Sequence, residues 1–134
     1  MTTVSEVMSA DLIAVHPSST VAHAATVMAQ RHVGSALVEE EGRLVGIFTE
    51  RDIVRALSQD FDAANHSIST WMTRDPTTVS PDATLEEALD KMLAGGFRHL
   101  PVEVNGQPVG MVSMRDISRA SAQPGHRPGV REAE

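Results

Sequence analysis

The chain has no cysteine and no tyrosine, a single tryptophan at position 71, and only 3% aromatic residues among its 134 positions. Without cysteine there is neither a disulfide framework nor a thiolate metal site. With so few rings there is no row of aromatic platforms on which the bases of a single strand would stack. No apolar run approaches the roughly 20 residues that span a bilayer, and residues 1–10 have neither the basic region nor the apolar core of a secretory signal. Positive charge is also scarce. Eleven Lys and Arg against 18 Asp and Glu give a net charge of −7, spread along the chain and of the wrong sign for a footprint on DNA. These absences predict a cytoplasmic protein that binds neither DNA nor membrane.

Signatures of catalysis are missing as well. His16, His23, His32, His66, His99 and His126 show no H-x-x-x-H or H-x-x-E-H spacing, the arrangement that puts two imidazoles on one helical face toward a metal. There is no G-x-S-x-G elbow, no P-loop and no G-x-G-x-x-G fingerprint. The acidic run Glu39-Glu40-Glu41 leads into a turn, where it is most simply solvated. No nucleophile with a base beside it emerges, so the expectation is a protein without catalytic residues, resident metal or cofactor.

What the chain does have is an internal copy of itself. A shift of 64 positions lays residues 4–57 over 68–121 without a gap, and 18 of those 54 positions are identical. Met8 falls on Met72, Asp11 on Asp75, Pro17 on Pro81, Thr20 on Thr84, Met28 on Met92 and Gly42 on Gly106. The segments Gly46-Ile-Phe-Thr-Glu-Arg-Asp52 and Gly110-Met-Val-Ser-Met-Arg-Asp116 fall in the same register.

Each copy reads as one run of elements. A short amphipathic opening (4–8, 68–72) leads to a brief strand ending at Val15 or Val79 and a proline-containing turn. A helix follows, with Val21, Ala24, Ala25 and Met28, or Leu85, Ala88, Leu89 and Met92, on one face. Thr84 with Glu87 makes a capping box, whereas Thr20 has His23 at the partner position and keeps only its hydroxyl. Two strands come next, 35–39 and 44–48 in the first copy, joined by the turn Glu40-Glu41-Gly42-Arg43. A closing helix starts at Thr49 or Ser113, with Ile53, Val54 and Leu57, or Ile117 and Ala120, expected on its inner side. A lone unit of this size buries too little surface to stand by itself. The expectation is therefore an α+β fold of two βαββα units packed with pseudo-twofold symmetry as one domain. Its parts are repeat one at 1–58, a linker at 59–66, repeat two at 67–122 and a flexible tail at 123–134.

The start of each closing helix carries the chemistry. Free N–H groups and the positive dipole end at Thr49 suit a phosphate. Asp52, one turn in, is acceptor-only when ionised and suits the paired hydroxyls of a ribose. T-x-x-D is equally a capping pattern, in which both side chains serve their own helix end. The two roles can coexist.

The duplicated βαββα pattern, the openings Val-x-x-x-Met and Ile-x-x-x-Met, and the two G-h-h-T/S-x-x-D segments resemble cystathionine β-synthase (CBS) domains arranged as a tandem pair, the Bateman module. The resemblance implies a regulatory module that binds adenosine-containing ligands, AMP, ADP, ATP or S-adenosylmethionine, in clefts between the repeats. It also implies disc-like homodimers and an output through a partner protein in trans; a structural dimerisation module without nucleotide is the alternative. The implied arrangement is crossed. The cleft that uses Thr49, Arg51 and Asp52 is completed by Asp75, Thr77 and Thr78 and by Phe97, Arg98, His99 and Pro101 of the second copy. Arg98 and His99 would supply cationic donors to a phosphate, or else form surface pairs with nearby acids. The opposite cleft, with Ser113 and Asp116, would face 10–14 and Gly34-Ser35-Ala36, which carry no cation, and is expected to hold phosphate more weakly. Ile13, Val33, Ile47, Phe97 and Met111 are the candidates for an adenine slot.

Overall fold

The computed structural model describes residues 1–121, and the tail expected over 123–134 lies outside the described residues. The first copy runs α1 (Val4–Val7), β1 (Ala14–Val15), α2 (Val21–Arg31), β2 (Ser35–Glu40), β3 (Arg43–Thr49) and α3 (Glu50–Gln59). The second opens with a 3-10 turn (Ile68–Thr70) in place of α1 and continues with β4 (Thr73–Arg74), α4 (Leu85–Gly95), β5 (His99–Val104), β6 (Gln107–Ser113) and α5 (Met114–Ser121). The polar stretch between the copies holds another 3-10 turn, Ala63–Asn65, whose Ala63 is fully buried.

Caps define the long helices. The Thr20 and Thr84 hydroxyls accept from the N–H groups of His23 and Glu87 at 3.0 and 3.1 Å. The Glu87 carboxylate in turn accepts from the Thr84 N–H at 2.8 Å, completing the box that α2 lacks. Val21, Ala24 and Met28, like Ala88 and Met92, are buried on the inner faces of α2 and α4.

Both sheets follow one plan, and each is finished by the other copy. In the first, β1 lies parallel to β2, β2 and β3 form an antiparallel hairpin, and β4 from the second copy adds to β3 through Gly46–Arg74 and Ile47–Thr73. In the second, the β5–β6 hairpin is flanked by a parallel bridge from Val79 to Val102 and an antiparallel bridge from Ser9 to Met111. Gly46 and Gly110 make room for these added segments. A Cβ on Gly46 would stand 2.7 Å from the Thr73 carbonyl oxygen, and one on Gly110 3.0 Å from that of Ser9.

The openings are exchanged in the same way. Val4 is fully buried among Val79, Ala88, Met92, Leu100, Val102 and Val112 of the second copy. Ile68, Trp71 and Met72 pack among Val15, Met28, Val38 and Phe48 of the first. The Val4 N–H donates to the Ala83 carbonyl and the Ile68 N–H to the Ser19 carbonyl, both at 2.8 Å, and these bonds are images of one another under the 64-residue shift. Neither copy therefore holds a whole core by itself.

One expectation fails on α3. Ile53 is half-buried against the first core, but Val54 and Leu57 are 67% and 54% exposed. The helix turns Asp52 and Ala56 inward instead, and with about 100° between successive residues this carries Val54 and Leu57 to the far side. On α5, Ile117 is buried and Ala120 half-buried, as expected.

Candidate functional site

The site begins where β3 runs into α3. Thr49 is extended, with φ −124° and ψ 170°, and caps the helix. Its hydroxyl accepts from the Asp52 N–H at 3.3 Å, while its own N–H and hydroxyl donate to Asp52 Oδ2 at 2.9 and 3.2 Å. Ser113 and Asp116 repeat the box at α5, with bonds of 2.8 and 3.0 Å. The capping reading of T-x-x-D thus holds in both copies. It uses one oxygen of Asp52. The other, Oδ1, makes no hydrogen bond among the described residues; Arg55 Nη2 stands 3.8 Å away and is itself anchored on the Trp71 carbonyl at 2.8 Å. Asp52 is nonetheless only 4% exposed.

A cavity of about 410 Å³ opens at this point, lined by Thr49, Arg51 and Asp52 and, from the second copy, by Thr77, Phe97, Arg98, His99 and Pro101. Ile47 and Phe97 form its apolar wall, and the Phe97 ring lies where a side chain on Gly95 would stand. Two expected members lie outside it. Asp75 is exposed in a left-handed conformation, φ 47°, with its N–H donated to the Val45 carbonyl. Thr78 turns its hydroxyl to Glu103 Oε1 at 3.1 Å.

A second cavity, about 490 Å³, is lined by Ser113 and Asp116 facing Asp11, Ile13, Gly34 and Ser35, with Val33 and Met111 beside them. Segments 10–14 and 34–36 bring it no cation, but other elements do. Arg115 and Arg119 of α5 line it, and so do Arg98 and His99. Arg98 precedes and His99 begins β5, where the copies meet: His99 Nε2 is 3.6 Å from the position of a Cβ on Gly34. Four residues, Gly34, Glu50, Arg98 and His99, belong to both cavities.

Burial holds the His99 imidazole below its ordinary pKa, against the upward pull of Glu50 and Asp116 and with the help of Arg98 and Arg115. The ring is therefore uncharged near neutral pH. The Arg98 guanidinium makes no hydrogen bond or ion pair among the described residues. Among the same residues there is no cluster of three or more His, Asp and Glu placed to hold a metal ion, and no helix long and apolar enough to cross a membrane. Sequence reasoning missed Glu50, Arg55, Arg115 and Arg119. The signal was present, since Arg51 and Arg115, and Arg55 and Arg119, are identical pairs at the 64-residue offset.

Two exchanged βαββα units around two inter-repeat cavities are the architecture of a CBS pair, and comparison agrees. The CBS domain family model matches residues 4–59 and 67–123, and the chain belongs to that family. It is 43% identical over 122 residues to an uncharacterised 17.7 kDa protein of Acidianus ambivalens, covering 89% of this chain and 73% of the relative. It spans only 41% of a Methanocaldococcus jannaschii relative, MJ1225, at 32% identity over 115 residues. Among solved structures, the CBS domain pair of protein MJ0100, in complex with 5′-methylthioadenosine and S-adenosyl-L-methionine, is similar with a TM-score of 0.82 at 30% identity, covering 89% of this chain and 98% of that one. CBSX2 in complex with AMP is similar with a TM-score of 0.80 at 25% identity, covering 92% and 98%.

Proposed function

We propose that this CBS pair is a regulatory module that senses an adenosine-containing ligand and passes the signal to a partner protein. The observation that carries the reading is the Asp52 carboxylate. It sits 4% exposed in a cavity wall, with Oδ2 spent on the helix cap and Oδ1, which makes no hydrogen bond among the described residues, opposed by Arg55 at 3.8 Å. A buried carboxylate is costly unless its oxygens are paired, and the two hydroxyls of a ribose would complete this one. The Glu50 and Asp52 N–H groups already serve the Gly34 carbonyl and the Thr49 hydroxyl, so a phosphate at this helix end would meet the Arg51 N–H together with the Arg51 and Arg98 side chains, and Ile47 and Phe97 offer an apolar wall to the base. The adenosine-containing ligands of the MJ0100 and CBSX2 complexes support the same ligand class. Signalling requires that the ligand bind two conformations unequally, and the exposed Val54, Leu57 and Phe61 offer surface to a second copy or an effector.

The test is a thermal-shift screen of the full chain against AMP, ADP, ATP, NAD and S-adenosylmethionine, followed by calorimetry on whichever ligand raises the melting temperature. Asp52→Ala is expected to weaken that ligand by about 1–3 kcal/mol. It should also lose about 1 kcal/mol of stability with its cap, a loss that Asp116→Ala shares and so calibrates. A chain whose melting temperature none of the five raises would be a structural interaction module instead.

A further inference from the structure

The two cavities share a wall, and that wall contains the one guanidinium common to both among the described residues. Arg98 faces the first cavity with Arg51 and Asp52, and the second with Arg115 and Asp116. Across the wall Glu50, at the first position of α3, covers Gly34, where a Cβ would stand 2.7 Å from its Oε1. It presents the same carboxylate to both cavities. A guanidinium can turn its donor fork to one phosphate at a time.

We propose that the cavities are antagonistic toward phosphate-bearing ligands: the chain holds one anionic nucleotide through Arg98 and His99, and its other cavity then takes an adenosine derivative without a phosphate. This rests on the function proposed above. Whichever cavity engages Arg98 leaves the other with one guanidinium fewer, so that Glu50 and its own acid, Asp52 or Asp116, are set only against Arg51 and Arg55 in the first cavity or Arg115 and Arg119 in the second. His99 lies among Glu50 of α3, Asp116 and Arg115 of α5 and its neighbour Arg98, and its uncharged ring has one N–H to give to one anion. An uncharged ligand makes no demand on either group. The penalty is a coupling between sites and so has the same size whichever cavity fills first.

Calorimetry with AMP and with uncharged 5′-methylthioadenosine tests this. Asp116→Ala weakens the second cavity and Asp52→Ala the first, so that fitting each variant gives the constant of the cavity left intact. In the unmodified chain the second AMP is expected to bind at least about tenfold more weakly than those constants allow. 5′-Methylthioadenosine should show no penalty, and Arg98→Met should abolish the penalty for AMP. Two AMP bound at the single-cavity constants would overturn the proposal while leaving the sensor reading intact. So would a penalty that persists with 5′-methylthioadenosine or in Arg98→Met. Absence of binding by either compound to any form would remove the sensor reading and this inference together.

Discussion

The two halves of the molecule share a frame and differ in what fills it. At corresponding positions the first half encloses Phe48 and Trp71, and the second Val112 and Val7. Phe48 and Val112 are both fully buried, so a common backbone surrounds very different volumes. The caps, the glycines under the added strands and the exchanged openings repeat in both halves, and so do the core pairs Val15 with Val79, Ala24 with Ala88, Met28 with Met92 and Val38 with Val102, whereas the largest core side chains and the walls facing each helix start do not. Duplication here kept what positions the backbone at the cavities together with a shared set of small and medium core residues, and the largest core side chains diverged.

The comparison breaks most visibly in the core. Phe48→Ala is expected to cost about 3–5 kcal/mol and Val112→Ala about 2, because the former removes a whole ring from a site that relaxes only in part. Because each core includes the other copy's opening segment, both variants should unfold in urea as a single transition. Equal losses would mean that the larger half repacks around the missing ring. Two separated transitions would mean that the exchange does not bind the halves into one cooperative unit.

A pH-dependent difference comes next. The position corresponding to His99 is Ser35, buried and unable to titrate in this range. His99 is held neutral by burial in the folded chain, so the unfolded chain, with an ordinary imidazole near 6.5, binds its proton first as pH falls. Stability from this source is intact above that value and is lost as pH drops through it toward the lower folded value. Between pH 7.5 and 5.5 the melting temperature of the unmodified chain should therefore fall more than that of His99→Gln. Equal falls would show that the ring is solvated in both states.

Much of this was legible in the sequence because it is local or repeated. The 64-residue offset identified the unit, and T-x-x-E and T-x-x-D marked helix starts whose caps are made by the side chains themselves. The crossed arrangement of Thr49 and Asp52 with Phe97, Arg98 and His99 came from the family resemblance rather than from spacing. The exchange of the openings was not legible, since a segment as short as 4–8 does not encode which copy it packs against. Val54 and Leu57 were placed inward because apolar residues on a helix are usually core, yet the capping carboxylate of Asp52 sets the phase of α3 and turns them out. The cations of the second cavity were missed because Arg98 and His99 were assigned to one cleft, and only the shared wall reveals that they face two.

The smallest effect lies in the turns, where the same geometry is met by different residues. Both hairpins close through two-residue loops between paired positions, Glu40 with Arg43 and Val104 with Gln107. Both loop residues have positive φ in each: 54° and 77° at Glu41 and Gly42, 54° and 80° at Asn105 and Gly106. This is the turn that Asn-Gly favours most, and its first position is a poor one for glutamate, which has no short side chain to stabilise the left-handed backbone. Glu41→Asn should therefore stabilise the chain by about 0.5 kcal/mol, and Asn105→Glu should destabilise it by a similar amount. Both positions are exposed, so neither change disturbs packing, and the shifts in urea midpoint should come with an unchanged denaturant slope. If Glu41→Asn left the midpoint where it was, the strain at Glu41 would be relieved by the pull of the flanking strands, and the two hairpins would be energetically equivalent despite their different loops.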